Sequence, residues 1–351
     1  MIFSALLLPS TPQGKQMRSP HRSALVALVL CVTASAHCLA FPGPPMSLVK
    51  RWRLSSLVAW VDVTSTGRLE VDDHPPGQSV VLSIRQVLKG PAANPSKQVR
   101  AFTVFGSPFP FHFSKGQRLL VFLSFDDKLK MYTPVAFEGC LELSGKAFQR
   151  YAAALKKLPS ILDVSDEEAR KRRLVDWSVD CAVDPILRED GVIGLWYLRG
   201  KEKGTTKDPL TEAHREKLVT AITTEKRPSR HVAIVASLLE PYASPTLDRY
   251  LLESLRLSHE PGWRDLTRTA VEQLPGRLKI ELAESTQKRL DEWGELLGEV
   301  YYDIDKEAEP DRYEDAKERF DVLWGSISRE VYDQCRRAMA QKESDASRAI
   351  P

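Results

Sequence analysis

The chain has 351 residues, of which 42% are hydrophobic and 28% charged, so its composition excludes a wholly disordered protein and provides for about two folded domains. Its formal net charge is +3, and that excess lies within residues 1–36, which contain three basic residues and no acidic one. The remaining chain has 47 residues of each sign and is therefore neutral, which argues against nucleic acid as a partner.

The N-terminus has the three parts of a secretory signal. From Met17 a basic stretch leads into the apolar run 23–32, and residues 34–36, Ala-Ser-Ala, supply the small side chains that a signal peptidase requires. We expect cleavage after Ala36, a start at Met1 or Met17, and a secreted or periplasmic protein. The apolar run is shorter than a membrane span of about 20 residues, and no later run reaches that length, so no transmembrane segment is predicted.

Residues 57–143 are predicted to form a small β-barrel. In the second strand, residues 80–85 alternate between apolar and more polar side chains, as in a sheet with one buried face. The segments 72–77 and 90–95 are rich in proline and glycine, which end strands. Such short strands close together indicate a barrel, and we expect them at 57–63, 80–88, 98–105, 117–124, 130–135 and 141–143.

From Ser144 the hydrophobic period becomes that of a helix. A first apolar stripe ends at Pro159, and residues 165–168 form a helix start signal in which Ser165 caps the helix and Glu168 reaches back. Further helices are predicted at 210–223, 229–239, 245–257, 262–274, 278–304 and 311–340, followed by a disordered tail at 343–351.

Two of the predicted helix pairs resemble each other. Three positions recur at a spacing of about 35 residues, with Leu218 returning as Leu252, Leu239 as Leu274 and Pro241 as Pro275. This period predicts stacked helical hairpins, and an irregular helical bundle is the alternative.

The two parts of the neutral chain carry opposite charge. Residues 37–160 contain 16 basic and 8 acidic side chains, whereas residues 161–351 contain 31 and 39. Two interpretations fit this separation: each part steers a different partner, or the two parts dock on each other across a polar interface.

Cleavage removes Cys31 and leaves four cysteines, an even number that favours disulfides in an oxidising compartment. Three connectivities exist for four cysteines. Because Cys38 and Cys140 bracket the predicted strands, that pair is preferred, and Cys181 with Cys335 would be the second pair. Alternatively, the last two are both buried free thiols.

The sequence contains no motif of a known catalytic or metal site. G-x-S-x-G, H-E-x-x-H, C-x-x-C and a phosphate-binding glycine loop are missing, and no two histidines lie four residues apart on a helix. We therefore predict a protein that is not an enzyme and has no cofactor and no metal. Asp176, Asp180 and Asp184 fall on one helical stripe around Trp177, which suggests either an acidic hydrolase site or a solvated face.

The segment 106–116 joins two predicted strands and is rich in aromatic residues. It contains Phe109, Phe111 and the cation Lys115. If the aromatic rings are exposed, this segment is a contact loop for a partner; alternatively, they close the open end of the barrel.

The order of features in the β half is distinctive. Cys38 follows the signal, and the first strand is formed by residues 57–63, Leu-Val-Ala-Trp-Val-Asp-Val. The second strand is closed by residues 84–90, Ile-Arg-Gln-Val-Leu-Lys-Gly, and the central strand at 113–123 begins with Phe-Ser-Lys-Gly. Cys140 then precedes an amphipathic helix. In this order residues 38–158 resemble the netrin module, the OB-type barrel of tissue inhibitors of metalloproteinases. The resemblance implies a Cys38–Cys140 bridge.

The same resemblance raises the possibility of a protease inhibitor. The family's inhibitors begin at a C-x-C cysteine whose amine and carbonyl chelate the zinc ion of the target protease. This chain has Cys38-Leu39-Ala40 instead, and cleavage after Ala36 would leave His37 ahead of Cys38, so it departs from that pattern.

The helical half, over residues 166–274, resembles HEAT-type repeats, which implies a concave binding surface.

These observations predict an α+β multidomain protein, with a small OB-type β-barrel at 37–160 followed by an all-α helical repeat domain at 161–342. The expected function is an exported, non-catalytic binding protein of the cell envelope or extracellular space. Its expected partners are proteins or anionic envelope polymers. The alternatives are an inhibitor of the metalloproteinase-inhibitor type and a hydrolase with an acidic site.

The export hypothesis predicts that residues 17–60, fused to a reporter active only outside the cytoplasm, give reporter activity. Ala36→Tyr should block processing, because a large side chain does not fit the peptidase pocket. The reporter signal and the mass of the processed N-terminus are the measurements. An uncleaved fusion retained in the cytoplasm would contradict the hypothesis.

Overall fold

The computed structural model describes residues 45–70, 76–90, 98–104, 111–135, 139–199, 208–226, 228–260, 262–300, 304, 306 and 309–348. Within these ranges a six-stranded sheet precedes a long series of helices, which gives an α+β arrangement. The predicted signal segment and Cys38 lie outside the described residues.

The N-terminal part consists of a short helix and six strands. They are α1 (Leu48–Leu54), β1 (Leu57–Leu69), β2 (Gly77–Lys89), β3 (Gln98–Val104), β4 (Arg118–Asp126), β5 (Met131–Pro134) and β6 (Cys140–Glu142). All six predicted strands form. β1 and β2 are longer than predicted because they continue as an antiparallel pair out to Leu69 and Gly77.

The strand pairings return to their starting point. β1 pairs with β2, β2 with β3, β5 with β4 and β4 with β1, all antiparallel, and β6 extends the side of β4 that faces β5. β3 and β5 are joined in parallel by the single pair Ala101 and Tyr132. The sheet therefore curves back on itself. The predicted barrel is not fully closed, because β3 and β5 are joined by one residue pair and not by a full ladder of hydrogen bonds.

The alternation predicted for β2 is confirmed. Val80, Leu82 and Ile84 are at most 3% exposed and line the inner face, where they meet apolar residues of β1 and β4. The outer face of β1 and β4 is also buried at one end, because α1 and the first helix after the sheet cover it. There Trp60 stacks on Phe148 at 4.3 Å between ring centroids.

Ten helices follow the sheet in the described ranges. They are α2 (Gly145–Leu155), α3 (Leu158–Leu162), α4 (Glu167–Val183), α5 (Arg188–Arg199), α6 (Glu212–Thr223), α7 (Arg230–Leu238), α8 (Pro245–Arg256), α9 (Arg264–Leu278), α10 (Glu284–Gly298) and α11 (Pro310–Arg348). The predicted start at 165–168 is displaced by one residue, since Asp166 caps α4 by accepting from the Ala169 amide.

The helices pack as successive pairs. α4 contacts α5, α6 contacts α7, α8 contacts α9 and α10 contacts α11. The first members also contact in series, α4 to α6 to α8, and so do the second members, α5 to α7 to α9. A single apolar core runs through these layers. None of the described helices has both the length and the apolar character needed to cross a membrane.

Helices α1, α3 and α5 have no predicted counterpart, and α11 extends past its predicted end. α11 continues to Arg348, through most of the predicted tail 343–351, where Arg249 of α8 pairs with Glu343 at 3.1 Å.

In α5 the two glycines have a packing role. A Cβ atom at Gly191 would overlap the backbone nitrogen of Ala182, and one at Gly194 would lie 2.8 Å from Ser178 Oγ. The glycines allow α4 and α5 to approach closely.

The predicted disulfides are wrong. Cys140, Cys181 and Cys335 are buried free thiols, and burial raises the pKa of each. Cys140 lies in the core inside the sheet, whereas Cys181 and Cys335 lie in two different apolar clusters, one between sheet and helices and one within the helix layers. All three thiols are buried in apolar surroundings, where a free cysteine packs as a small hydrophobic side chain and needs no bridge.

Close packing of α4 on α5 predicts that Gly191→Ala destabilises the protein by about 3 kcal/mol, since backbone atoms must move to admit the methyl group. Gly294→Ala is the matched control, because nothing lies within 4 Å of a Cβ there and alanine favours a helix by up to about 1 kcal/mol. Urea unfolding of both variants measures the difference. Equal stability of the two variants would contradict the close approach.

Candidate functional site

A buried ion pair joins the sheet half to the helical half. Arg51 of α1 donates to Asp190 Oδ1 at the start of α5, and the Tyr151 hydroxyl of α2 donates to Asp190 Oδ2 at 2.7 Å. Arg51 is 2% exposed and Asp190 4% exposed. The Arg51 guanidinium carbon also lies 5.4 Å from the centroid of the Phe122 ring on β4.

This cluster has the properties of a structural junction. Removing two charges from water is costly, and the cost is offset only when each charge is paired and hydrogen-bonded. Both carboxylate oxygens of Asp190 accept a hydrogen bond. Burial and the adjacent Asp190 carboxylate raise the pKa of the Tyr151 hydroxyl far above its usual value, so this group remains a neutral donor. The cluster holds three elements together and presents no exposed reactive group.

Further ion pairs between the two halves have the same arrangement of charges. Arg150 lies 3.7 Å from Asp184, and Lys157 lies 4.0 Å from Asp180. In these pairs, as in the buried one, the cation precedes residue 160 and the acid follows it. The Trp177 indole also donates to the Ala154 carbonyl at 3.0 Å. These contacts favour the interpretation that the opposed charges of the two halves dock on each other.

The three aspartates of the hypothetical acidic site do not converge. Asp176 pairs with His214 at 2.8 Å, and Asp180 pairs with Lys217 at 2.5 Å. Asp184 lies beyond the last turn of α4, in an extended conformation. Trp177 is 3% exposed and packs in the apolar cluster between the sheet and the helices. Asp176 and Asp180 therefore lie on a solvated face and are paired with α6, whereas Asp184 is mostly buried at the end of α4.

The predicted contact loop is partly described. Phe109 lies outside the described residues. Phe111 is half-buried, packs against the core inside the sheet and meets Phe113 edge-on at 4.9 Å. Lys115 is exposed in the turn before β4. For Phe111 the structure supports the alternative, in which the aromatic ring covers an end of the sheet core.

The uncovered end of the outer sheet face is rich in arginine. Asp62 of β1 lies 2.5 Å from Arg85 of β2 and 3.4 Å from Arg118 of β4, so two guanidinium groups share one carboxylate. Arg85 is 49% and Arg118 59% exposed. Arg100 of β3 is exposed on the same face, opposite Val81 of β2. We call these four residues, Asp62, Arg85, Arg100 and Arg118, the arginine face.

Sequence reasoning did not identify the arginine face. Arg85 occupies an outward position of the predicted alternation, and that signal was present in the sequence. The position of Arg118 beside Asp62 depends on the β1–β4 register, in which these two residues are directly opposite each other. Such a register joins residues far apart in the chain and is not encoded by local periodicity.

The N-terminal part of α11 forms an open surface of the opposite charge. The residues of this surface are Glu314, Asp315, Lys317, Glu318, Asp321 and Val322. Among the described residues, no group of three or more His, Cys, Asp or Glu side chains could hold a metal ion.

Comparisons of this chain with models of protein families, with curated proteins and with solved structures found no match. The function must therefore be argued from the chemistry of the surfaces themselves.

Proposed function

We propose that the chain is an exported, non-catalytic binding protein that holds an anionic polymer of the cell envelope or extracellular space on the arginine face. The observation that carries the proposal is the sharing of Asp62 by Arg85 and Arg118. One carboxylate neutralises only one of the two guanidinium groups, and Arg100 adds a further cation on the same face. An uncompensated positive charge therefore remains in an exposed position.

The chemistry of arginine suits such a ligand. A guanidinium group is always charged and presents a planar fork of donors that matches a carboxylate, sulfate or phosphate group. The three cations of the arginine face are spread over three strands, β2, β3 and β4, on an open surface. An extended chain with repeated negative charges can contact several of them at once, which a small anion cannot.

The architecture of both halves supports the proposal. A strand order that runs β1-β2-β3-β5-β4 and returns to β1, with β3 and β5 parallel, is the order expected of an OB-type barrel in general. Serial contacts of paired helices are those expected of HEAT-like repeats. On this proposal the barrel binds, and the helical half supports it and supplies the acidic surface of α11.

Binding to the arginine face is tested with dextran sulfate as the probe. The double variant Arg85→Gln/Arg118→Gln should lose about tenfold in affinity and show a weaker dependence on salt, because fewer counterions are released. Asp62→Asn should bind several-fold more tightly, since it removes the competing carboxylate. Titration at two salt concentrations measures both effects.

Arg256→Gln is the matched control, because Arg256 is an equally exposed arginine of α8 that pairs with Glu253. It should bind like the unmodified chain. Thermal melts of all variants check that the fold is retained. Unchanged affinity in the double variant, or weaker binding by Asp62→Asn, would rule out the arginine face as the binding surface.

A further inference from the structure

Two large apolar side chains are exposed at the end of the sheet where α1 leads into β1. Leu54, the last residue of α1, is 50% exposed, and Phe125 of β4 is 43% exposed. Ser56 connects their positions, because it follows Leu54 by two residues and its hydroxyl accepts from the Phe125 amide at 2.9 Å. Phe125 also meets Tyr132 of β5 edge-on at 5.2 Å. We call Leu54, Phe125 and Tyr132 the apolar patch.

The sheet holds Phe125 in its exposed position. Val121 and Leu123 pack in the core inside the sheet, and Phe125 follows them in the same alternation. The β1–β4 pairing ends at Leu57 and Leu123, so Phe125 extends past the last residue that β1 covers. Tyr132 lies directly opposite Phe125 and packs partly on the same core. The patch is therefore built on two paired strands and not on a loose loop.

The exposed face of α1 beside the patch is basic. Lys50, Arg53 and Leu54 are separated by three and four residues, so they share one helix face, and all three are exposed. Leu48 and Trp52 on the other side of α1 are buried in the cluster between the sheet and the helices. The helix contains no acidic residue. It therefore presents one apolar side chain together with two cations.

The turn from β4 to β5 adds two lysines on the other side of Phe125. Lys128 and Lys130 are both exposed. Asp126 accepts from the backbone amides of Lys128 and Leu129 at 2.8 and 3.1 Å, which fixes the turn. Asp127 lies 3.7 Å from Lys130, but both side chains are largely in water, where such a pair is weak. Cations therefore outnumber carboxylates around the patch.

We propose that the apolar patch docks on the surface of a membrane that contains anionic lipid. Apolar side chains ringed by cations fit such a surface, because the former enter the boundary between head groups and acyl chains while the latter contact the phosphates. A polyanion in water would engage the lysines but would leave Leu54 and Phe125 exposed. The contact uses a different surface from the arginine face and does not depend on polymer binding.

The test uses the chain from His37 onward, which contains every described residue and lacks the apolar run 23–32 that would itself bind lipid. Sedimentation measures its binding to vesicles of phosphatidylcholine, alone and mixed equally with phosphatidylglycerol. The mixed vesicles should bind about tenfold more tightly, and salt should weaken this binding. The proposal fails if the unmodified chain does not bind the mixed vesicles.

Variants separate the apolar contribution from the charged one. Leu54→Ser/Phe125→Ser should lower the affinity for mixed vesicles about tenfold, because both side chains lose their apolar contact. Lys128→Gln/Lys130→Gln should reduce the preference for mixed vesicles and its dependence on salt. Val322→Ser is the matched control, since Val322 is 68% exposed on the acidic surface of α11, and it should bind like the unmodified chain.

Three results would overturn the proposal. The first is unchanged vesicle binding by Leu54→Ser/Phe125→Ser. The second is loss of vesicle binding in Arg85→Gln/Arg118→Gln, which would assign the lipid contact to the arginine face. The third is a dimer, seen by sedimentation velocity without lipid, that the serine variant abolishes, which would assign the patch to a second copy.

Thermal melts check the fold of every variant. The lysine variant changes only exposed side chains of a turn, so it decides the question even if the serine variant does not fold. In that case, an unchanged preference of the lysine variant for mixed vesicles contradicts the proposal, and a reduced preference supports it. Dextran sulfate binding by the same variants is expected to stay unchanged, which keeps this test separate from that of the arginine face.

Discussion

A guanidinium and a carboxylate that are both removed from water must satisfy each other, because neither can recover its hydration inside the protein. Asp190 meets this condition through Arg51 and Tyr151, which come from two helices on the other side of the junction. The position of α5 relative to α1 and α2 is therefore fixed by chemistry as well as by apolar contact. Around the ion pair lies a core to which sheet strands and α4 both contribute.

The rest of the structure follows from this junction. Because α1 and α2 are held against β1 and β4, they cover one end of the outer sheet face and leave the end with Arg85 and Arg118 open. The same placement of α1 brings the Pro45 carbonyl within 2.9 Å of the Tyr197 hydroxyl of α5. The charge separation of the two halves is expressed locally, since cations of the first half meet acids of the second.

Local patterns in the sequence predicted the strands well, because alternation and turn residues act over a few positions. They failed where the decisive contact is distant in the chain. The glycines at 191 and 194 break a helical pattern, yet α5 needs them for close packing on α4. The arginine face depends on strand register. Counting cysteines suggested disulfides, although Cys181 and Cys335 are packed in separate apolar clusters.

The most direct test of this junction is the unfolding of the variant Asp190→Asn. Unfolding is monitored by the circular dichroism signals of both the strands and the helices. If this ion pair joins the two halves, the variant should unfold in one cooperative transition and be less stable by about 3–5 kcal/mol, because Arg51 is left buried without its counter-charge. Asp180→Asn, at an exposed junction pair, should cost less than about 1 kcal/mol. Two separate transitions, or an Asp190→Asn variant as stable as the control, would contradict the claim that this ion pair joins the two halves.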